Sequence, residues 1–272
     1  MEAFYKAVFR DNTFRISAVL FLIYSLWWVT LRFLHPTPTQ VLIFADSYHV
    51  TALFGAIIGF SIARKWGGFQ SMMGRAILMF SAGLLCEWFA QVTGIYLVWQ
   101  VGTVPYPSLS DVGAVGALIF YAIGSIDLAK ASGAHISLRS YSGKLIAALI
   151  PLLFLSASFA IFLRSYEFNW SQPLITFLDI GYPLGEAFYL SMAILAYLLS
   201  FKALGGMMKV PILFFITALI SEYIADFYFL YDSHAGGYVL GSVNDLLFIV
   251  AYSLMAISLI QLGVVYKWIN ES

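Results

Sequence analysis

Charged residues are scarce in this sequence: Asp, Glu, Lys and Arg together make up only 10% of its 272 residues. Soluble domains carry about 25%, so the composition excludes an ordinary soluble domain. The net charge is zero, and no nucleic-acid partner is expected. Cysteine is almost absent as well. The single Cys86 excludes an internal disulfide and a metal site built from several cysteines.

Long hydrophobic runs are what the sequence has instead. Apolar residues make up 61% of the chain and aromatic residues 18%, with a mean hydropathy of +0.88. Runs of about 20 apolar residues, the length that crosses a bilayer core, recur from end to end. We therefore predict an all-α polytopic membrane protein with the bilayer as its main partner. The eight predicted transmembrane helices are 14–34, 43–63, 73–99, 108–129, 144–164, 174–200, 208–231 and 243–266.

The basic residues predict the orientation. If the N-terminus is cytoplasmic, twelve of the fourteen Lys and Arg residues fall at cytoplasmic ends, and only Arg32 and Arg164 fall on the other side. Cytoplasmic loops of membrane proteins carry such an excess of positive charge. We predict a multi-pass protein of the plasma membrane with both termini in the cytoplasm.

Two segments of the chain resemble each other. "MMGRAILMFSAGLLCEWFAQ" (72–91) aligns without a gap with "MMKVPILFFITALISEYIAD" (207–226), and both follow a Gly-Gly pair. At nearly the same offset, "SLSDVGAVGA" (108–117) aligns with "SVNDLLFIVA" (242–251). Composition alone does not readily match a Glu and an Asp at a preserved separation. The sequence therefore predicts a duplication, with four helices in residues 1–135 and four in 136–272.

An even number of helices in each unit makes both copies cross the membrane in the same direction. The prediction is thus two parallel four-helix repeats related by a pseudo-two-fold axis along the membrane normal. Inverted repeats, which are common in alternating-access transporters, require an odd number. Parallel repeats also occur among transporters, so this class is disfavoured without being excluded.

The stretch "VPYPSLSDVGAVG" (104–116) contains an aspartate just before an apolar run. Ser108 and Asp111 form an S-x-x-D capping pattern, and Ser242 and Asp245 repeat it. Such a serine bonds a free N–H of the first turn, and the acid interacts favourably with the positive end of the helix dipole. The pattern predicts a helix start at the outer interface, which explains the motif without a ligand.

Acidic residues concentrate in the outer half of the predicted membrane segments. Glu87 and Glu222 lie about 21 Å from the inner ends of their helices, in a core about 30 Å thick. The inner half is predicted to hold no acid. Helical spacing places several polar residues on shared faces. The candidate ligand-binding residues are Glu87, Gln91, Asp111, Asp179, Tyr182, Glu186, Glu222, Asp226 and Asp245.

A charge at bilayer depth costs several kcal/mol, and no Lys or Arg lies at a depth that would pair with these acids. They must be partly protonated, hydrogen-bonded or neutralised by a cation. Two interpretations remain open: interhelical hydrogen bonds that only lock the bundle, and an outward-facing cavity for a cation, an amine or a polar aromatic ligand. A relay of protons across the whole membrane is a third, weaker one. The expected lining of such a cavity is Glu87, Asp111, Glu222 and Asp245, with Glu186 and Asp226 at its wall.

Other chemistries find little support. The last helix has no lysine for a retinal, and the sequence shows neither a phosphate-binding loop nor a recognisable nucleophile set, so no catalytic residue is predicted and the cofactor stays unknown. Asp46 and His49 are a weak hint of a metal site, and the metal question stays open. Close helix packing explains the spaced glycines Gly55, Gly59, Gly113 and Gly116.

Four segments carry a resemblance: "PYPSLSDVG", "LDIGYPLGEA", "SFKALGG" and "EYIADFYFLY…NDLLF". From about Gly67 to Leu262 the chain resembles a family of uncharacterised multi-pass membrane proteins from candidate-phylum bacteria and archaea, related to the membrane sensory region of some diguanylate cyclases. Relatives often have a second Asp where this chain has Glu186. The positions that match the family pattern are Pro107, Ser108, Asp111, Asp179, Tyr182, Pro183, Glu186, Asp226 and Asp245.

This resemblance implies a sensor-like membrane module. No output domain follows Ser272 in the sequence, so a signalling partner protein is expected. The leading hypothesis is a ligand- or cation-binding protein of sensory or accessory type. A small-solute or proton-coupled transporter is the first alternative. A membrane-embedded enzyme is the second, and the sequence leans against it.

Overall fold

The computed structural model describes residues 2–34, 36–133, 138–200, 206–234 and 239–271. Residues 201–205, within "SFKALGG", and part of the predicted loop 232–241 lie outside this range. The described chain is helical, and it contains no β-strand. Its helices are α1 (Glu2–Arg10), α2 (Asn12–Phe33), α3 (Pro38–Ser47), α4 (Val50–Lys65), α5 (Met72–Val101), α6 (Leu109–Ala131), α7 (Tyr141–Ser158, continued by a π-helical turn over Phe159–Leu163), α8 (Pro173–Ser200), α9 (Gly206–His234) and α10 (Val243–Glu271).

Eight segments of the described residues are long and apolar enough to cross a membrane. α3 and α4 together make the second of these spans, and each of the others is a single helix, with the π-helical turn extending α7. The prediction of an all-α polytopic membrane protein is therefore confirmed. Two details differ: α1 precedes the first span, and the second span begins at Pro38 instead of residue 43.

Local sequence explains where the spans begin and end. α3 starts early because Thr37 and Gln40 form a capping box, in which each side chain accepts a hydrogen bond from the other's backbone N–H, and Pro38 occupies the first turn. α5 ends at Gly102, which adopts the left-handed conformation (φ 82°) that favours glycine. The second span is interrupted between Ser47 and Val50.

The predicted capping box at the start of α6 is confirmed. The Asp111 carboxylate accepts the backbone N–H of Ser108 at 2.6 Å, and the Ser108 hydroxyl accepts the N–H of Ser110 at 3.2 Å. At the position that aligns with Asp111, the Asp245 carboxylate accepts the N–H of Gly241 at 2.6 Å. Asp111 thus accepts the N–H three residues before it, whereas Asp245 accepts the N–H four residues before it.

Six spans form a closed ring. Going round it, α4 packs on α5, α5 on α6, α6 on α8, α8 on α9, α9 on α10, and α10 back on α4. α2 packs outside this ring on α10 and α4, and α7 packs outside it on α8. Burial agrees with this arrangement, because 83% of the most apolar part of α10 is buried, against 11% for α2 and 6% for the span that starts with α7.

The order of contacts in the ring is the one expected of two parallel repeats. The α5–α6 contact corresponds to α9–α10, the α4–α5 contact to α8–α9, and the α6–α8 contact to α10–α4. The two peripheral spans, α2 and α7, are each the first of a half. The duplication stays a prediction, and this correspondence supports it.

Apolar side chains from α5 and α9 meet across the centre of the ring. The rings of Phe80 and Phe215, which the 135-residue offset relates, stack with centroids 4.5 Å apart and planes 27° apart. Neither side chain is exposed. Other buried pairs at the same offset are Ile77 with Ile212 and Leu84 with Leu219. The stack therefore fills the middle of the ring.

Glycines allow the helices to approach closely, as the sequence predicted. A Cβ on Gly55 would lie 2.8 Å from Leu84 Cδ1 and 3.0 Å from Ala256 Cβ. A Cβ on Gly113 would lie 2.7 Å from two backbone atoms of α5, the Ala90 nitrogen and the Cys86 oxygen. Because backbone cannot rotate away as a side chain can, α6 could accept a side chain at Gly113 only by moving off α5.

We expect Gly113→Ala to lower the midpoint of thermal unfolding, at a cost of about 1–3 kcal/mol for the forced separation of the two helices. Gly181→Ala is the matched control, because a Cβ there meets nothing within 4 Å. Alanine is the better helix former by up to about 1 kcal/mol, so the control should be neutral or stabilising. Equal unfolding midpoints for the two variants would contradict the packing argument.

The orientation is tested by impermeant thiol labelling in intact cells, in a Cys86→Ser background. Cysteines at Thr103 and Asn169 should be labelled, because the charge asymmetry places the loops 100–107 and 165–173 outside. Cysteines at Phe69 and Arg139 should be labelled only after the cells are opened. The reverse pattern would invert the predicted topology.

Candidate functional site

Four carboxylates lie together at the centre of the ring. They are Glu87 on α5, Glu186 on α8, and Glu222 and Asp226 on α9, and together they are called the acid cluster below. Each interacts electrostatically with other members of the cluster. The three glutamates are at most 9% exposed. The structure thus brings four of the nine predicted site residues into one group.

Hydrogen bonds satisfy only part of this cluster. The Tyr252 hydroxyl donates to Glu87 Oε2 at 3.3 Å and accepts from Gln91 Nε2 at 3.3 Å. The buried atoms Glu186 Oε2 and Glu222 Oε1 have no hydrogen-bond partner, and neither has the Tyr189 hydroxyl. Buried polar atoms in native proteins are nearly always paired, so these three atoms are available to a proton, a water or a ligand.

Three fully buried tyrosines, Tyr121, Tyr189 and Tyr252, stand around the acid cluster and interact with it electrostatically. The signal for Tyr189 was its position one turn from Glu186 on the same helix face, whereas nothing in the sequence distinguished Tyr121.

No basic side chain neutralises the acid cluster. Among the described residues, the ion pairs are Lys6–Glu2, Arg75–Asp127 and Lys267–Asp11. None of these residues belongs to the cluster. In the same part of the chain no three His, Cys, Asp or Glu side chains are grouped so as to hold a metal ion. The cluster therefore has the charge to attract a cation without the compact geometry of a metal site.

The other predicted acids lie nearer the end of the bundle where α6 and α10 begin, called here the Asp111 end. Asp111 accepts a hydrogen bond from the Tyr182 hydroxyl at 2.6 Å, and Asp245 accepts one from Tyr48 at 3.4 Å. Each of these two carboxylates thus has both a tyrosine donor and a backbone donor. The predicted set of Glu87, Asp111, Glu222 and Asp245 is therefore divided between the centre of the ring and its end.

Asp179 has two tyrosine donors at the same end. The hydroxyls of Tyr106 and Tyr166 donate to its two oxygens at 2.7 and 2.8 Å. Burial and the neighbouring Asp179 raise the pKa of Tyr106, so this hydroxyl keeps its proton and remains a donor. Electrostatic interaction of Tyr182 with both Tyr106 and Asp226 connects this group to the acid cluster.

The three glutamates of the acid cluster are buried, and Asp226 is half-buried. Two pockets, of about 450 and 270 Å³, lie elsewhere, one beside Asp11 and Lys267 and the other between Trp27 and Gln40. A ligand that contacts the buried glutamates therefore needs the helices around them to move. The same geometry is compatible with the packing interpretation, in which the acids only join helices.

One acid contradicts the prediction that the inner half of the membrane holds none. Asp127, in the last turns of α6, is 2% exposed and pairs with Arg75 Nε at 2.5 Å and Nη2 at 2.6 Å. This end of the bundle is called the Arg75 end. Arg75 explains why Asp127 can lie in the span, because a neutralised carboxylate is tolerated at a depth where an unpaired one is costly.

Two other tyrosines on the helices that carry the acids do not line the cluster. Tyr96 on α5 is 60% exposed and Tyr228 on α9 is 46% exposed, so both point away from the centre of the ring.

Crowding of the carboxylates has a measurable consequence. We expect Glu222→Gln to raise the midpoint of thermal unfolding by a few degrees, because it removes one carboxylate from a buried group of acids. Glu167→Gln, which changes an exposed glutamate, should leave the midpoint unchanged. An unfolding midpoint that Glu222→Gln lowers would contradict unfavourable crowding of the carboxylates in the cluster.

Known proteins do not indicate a function for this chain, so its function is inferred from the geometry of the site. No family model, no curated protein and no solved structure matches this chain. The resemblance noted in the sequence stays a prediction. The structure shows an integral membrane protein with eight candidate spans and a buried acid cluster at the centre of its helix ring.

Proposed function

We propose that the protein binds a small cationic ligand at the acid cluster and acts as a sensory or accessory membrane protein. The observation that carries this proposal is the set of buried, unpartnered oxygens: Glu186 Oε2, Glu222 Oε1 and the Tyr189 hydroxyl. Interhelical packing alone would pair such groups, since an unpaired buried polar atom costs about 1–3 kcal/mol. A cation supplies the missing partner.

The chemistry of the site favours a compact organic cation or a proton. Four carboxylates supply negative charge, and the rings of Tyr121, Tyr189 and Tyr252 stand beside them. Aromatic rings attract ammonium groups through their electron-rich faces. Because the three glutamates are at most 9% exposed, a small ligand fits better than a large aromatic one.

A small-solute or proton-coupled transporter is the second candidate, because parallel repeats like the arrangement of this ring also occur among transporters. Transport requires access to the site from both ends. Toward the Arg75 end, the stacked rings of Phe80 and Phe215 lie two helical turns from Glu87 and Glu222, which is about 10 Å, and fill the middle of the ring. This obstruction supports binding from one end over passage through the protein.

The sensory part of the proposal rests on the resemblance to the membrane region of certain diguanylate cyclases. In this scheme the ligand changes the packing of the ring, and a signalling partner protein in the bilayer or on the cytoplasmic side responds to that change. The two four-helix units act as two bodies in this scheme, and a ligand bound at their common centre can alter their relative position.

Binding is tested by calorimetry on the purified full-length protein in nanodiscs, with methylammonium, tetramethylammonium and sodium chlorides as probes. We expect at least one cation to bind saturably to the wild-type protein and equally well to Glu167→Gln. Glu222→Gln should bind at least about tenfold more weakly, because a bond to a charged group is lost. Affinity should also fall from pH 8 to pH 5.5, since protons compete for the same carboxylates.

Two results would overturn the proposal. One is the failure of every probe to bind the wild-type protein, and the other is undiminished binding by a folded Glu222→Gln variant. The second result would assign the acid cluster to helix packing.

A further inference from the structure

Two tyrosine–aspartate hydrogen bonds join the first four spans to the last four. The Tyr182 hydroxyl on α8 donates to Asp111 Oδ1 on α6 at 2.6 Å. The Tyr48 hydroxyl, in the interruption between α3 and α4, donates to Asp245 Oδ1 on α10 at 3.4 Å. In each bond the tyrosine belongs to one half of the chain and the aspartate to the other.

The two bonds are related by the repeat. An offset of 134 residues converts Tyr48 into Tyr182 and Asp111 into Asp245, so the donors and the acceptors correspond. Sequence comparison identified the aspartates only, because the residues around Tyr48 and Tyr182 have little else in common. The second oxygen of each aspartate accepts a backbone N–H, which fixes both acceptors in position.

Both bonds lie at the joints between the halves of the ring, one where α6 meets α8 and the other where α10 meets the second span. A third bond crosses the first joint nearby, from the Tyr106 hydroxyl to Asp179 Oδ1 at 2.7 Å. All three are at the Asp111 end. The acid cluster lies between this end and the stacked rings of Phe80 and Phe215, so the Asp111 end is the side that the stack does not obstruct.

The Arg75 end is closed differently. The Arg75–Asp127 pair joins α5 to α6 within one half. Between the halves, the Trp66 indole N–H donates to the Leu262 carbonyl at 3.1 Å, and the Trp66 and Tyr266 rings pack edge to face at 5.6 Å. Bulky aromatic packing therefore holds the halves together at this end.

We infer that Tyr48–Asp245 and Tyr182–Asp111 are a gate. The two bonds hold the halves closed over the acid cluster, and a cation enters when both bonds break and the halves separate at the Asp111 end. The entry of a ligand rests on the proposed function, whereas the opening of the gate does not and is measured without a ligand.

The test measures how fast a cationic thiol reagent, 2-(trimethylammonium)ethyl methanethiosulfonate, reaches a cysteine beside the cluster. The reporter is Gln91→Cys in a Cys86→Ser background, in the full-length protein in nanodiscs. Tyr48→Phe and Tyr182→Phe each remove one gate bond and keep the ring. One hydrogen bond changes such an equilibrium by roughly fivefold, so each should raise the rate about fivefold, and the double variant by roughly twenty-five-fold.

Tyr96→Phe is the matched control, because it removes a hydroxyl at the same end from an exposed tyrosine. Its rate should equal that of the reporter alone. Unchanged rates in both single variants overturn the gate, and so does an equal rise in the Tyr96→Phe control. If the double variant unfolds, the single variants decide the question.

The gate and the proposed function fail separately. Faster labelling of the gate variants, with no ammonium or sodium binding to the wild-type protein, leaves the gate standing and removes the proposed function. If a cation binds to the wild-type protein and the gate variants do not change the labelling rate, the proposed function stands and the gate is overturned.

Discussion

Burial of several carboxylates at bilayer depth, with no basic partner among them, is the constraint on which the rest of this structure depends. An ionised side chain there costs several kcal/mol, so the bundle must supply hydrogen-bond donors or exclude lipid. It does both. The ring of six spans keeps the acid cluster away from lipid, and tyrosine hydroxyls reach Glu87, Asp111, Asp179 and Asp245. The remaining deficit is concentrated in Glu186 and Glu222.

Tyrosine suits this task because it combines a large apolar ring with one polar end. The rings of Tyr48 and Tyr252 pack on Phe44 and Phe248, while their hydroxyls donate to Asp245 and Glu87, which no lysine or arginine pairs with among the described residues. The chain uses the opposite solution once, at Asp127, where Arg75 forms an ion pair with two hydrogen bonds. The two ends of the bundle therefore differ in chemistry: neutral donors at one end and a charged pair at the other.

A site that leaves buried polar atoms unpaired lowers stability, and proteins retain such features where a function needs them. The acid cluster has that character. Its neighbours are otherwise well packed: glycines bring α5 and α6 together, and the Phe80–Phe215 stack occupies the centre of the ring. Close packing of this kind is what a binding site held in a rigid frame requires.

The sequence alone determined the class of the protein, the number and approximate limits of its spans, and the start of α6 at Ser108 and Asp111. Hydrophobic run length and capping are local properties, so neighbouring residues decide them. It also singled out the acids by their depth. Only the tertiary structure decided which acids meet, because four carboxylates on α5, α8 and α9 come together through ring closure, which no spacing along the chain reveals. The same holds for Tyr121, for the pairing of Asp127 with Arg75, and for the crossed bonds of Tyr48 and Tyr182, whose partners lie up to 197 residues away along the chain.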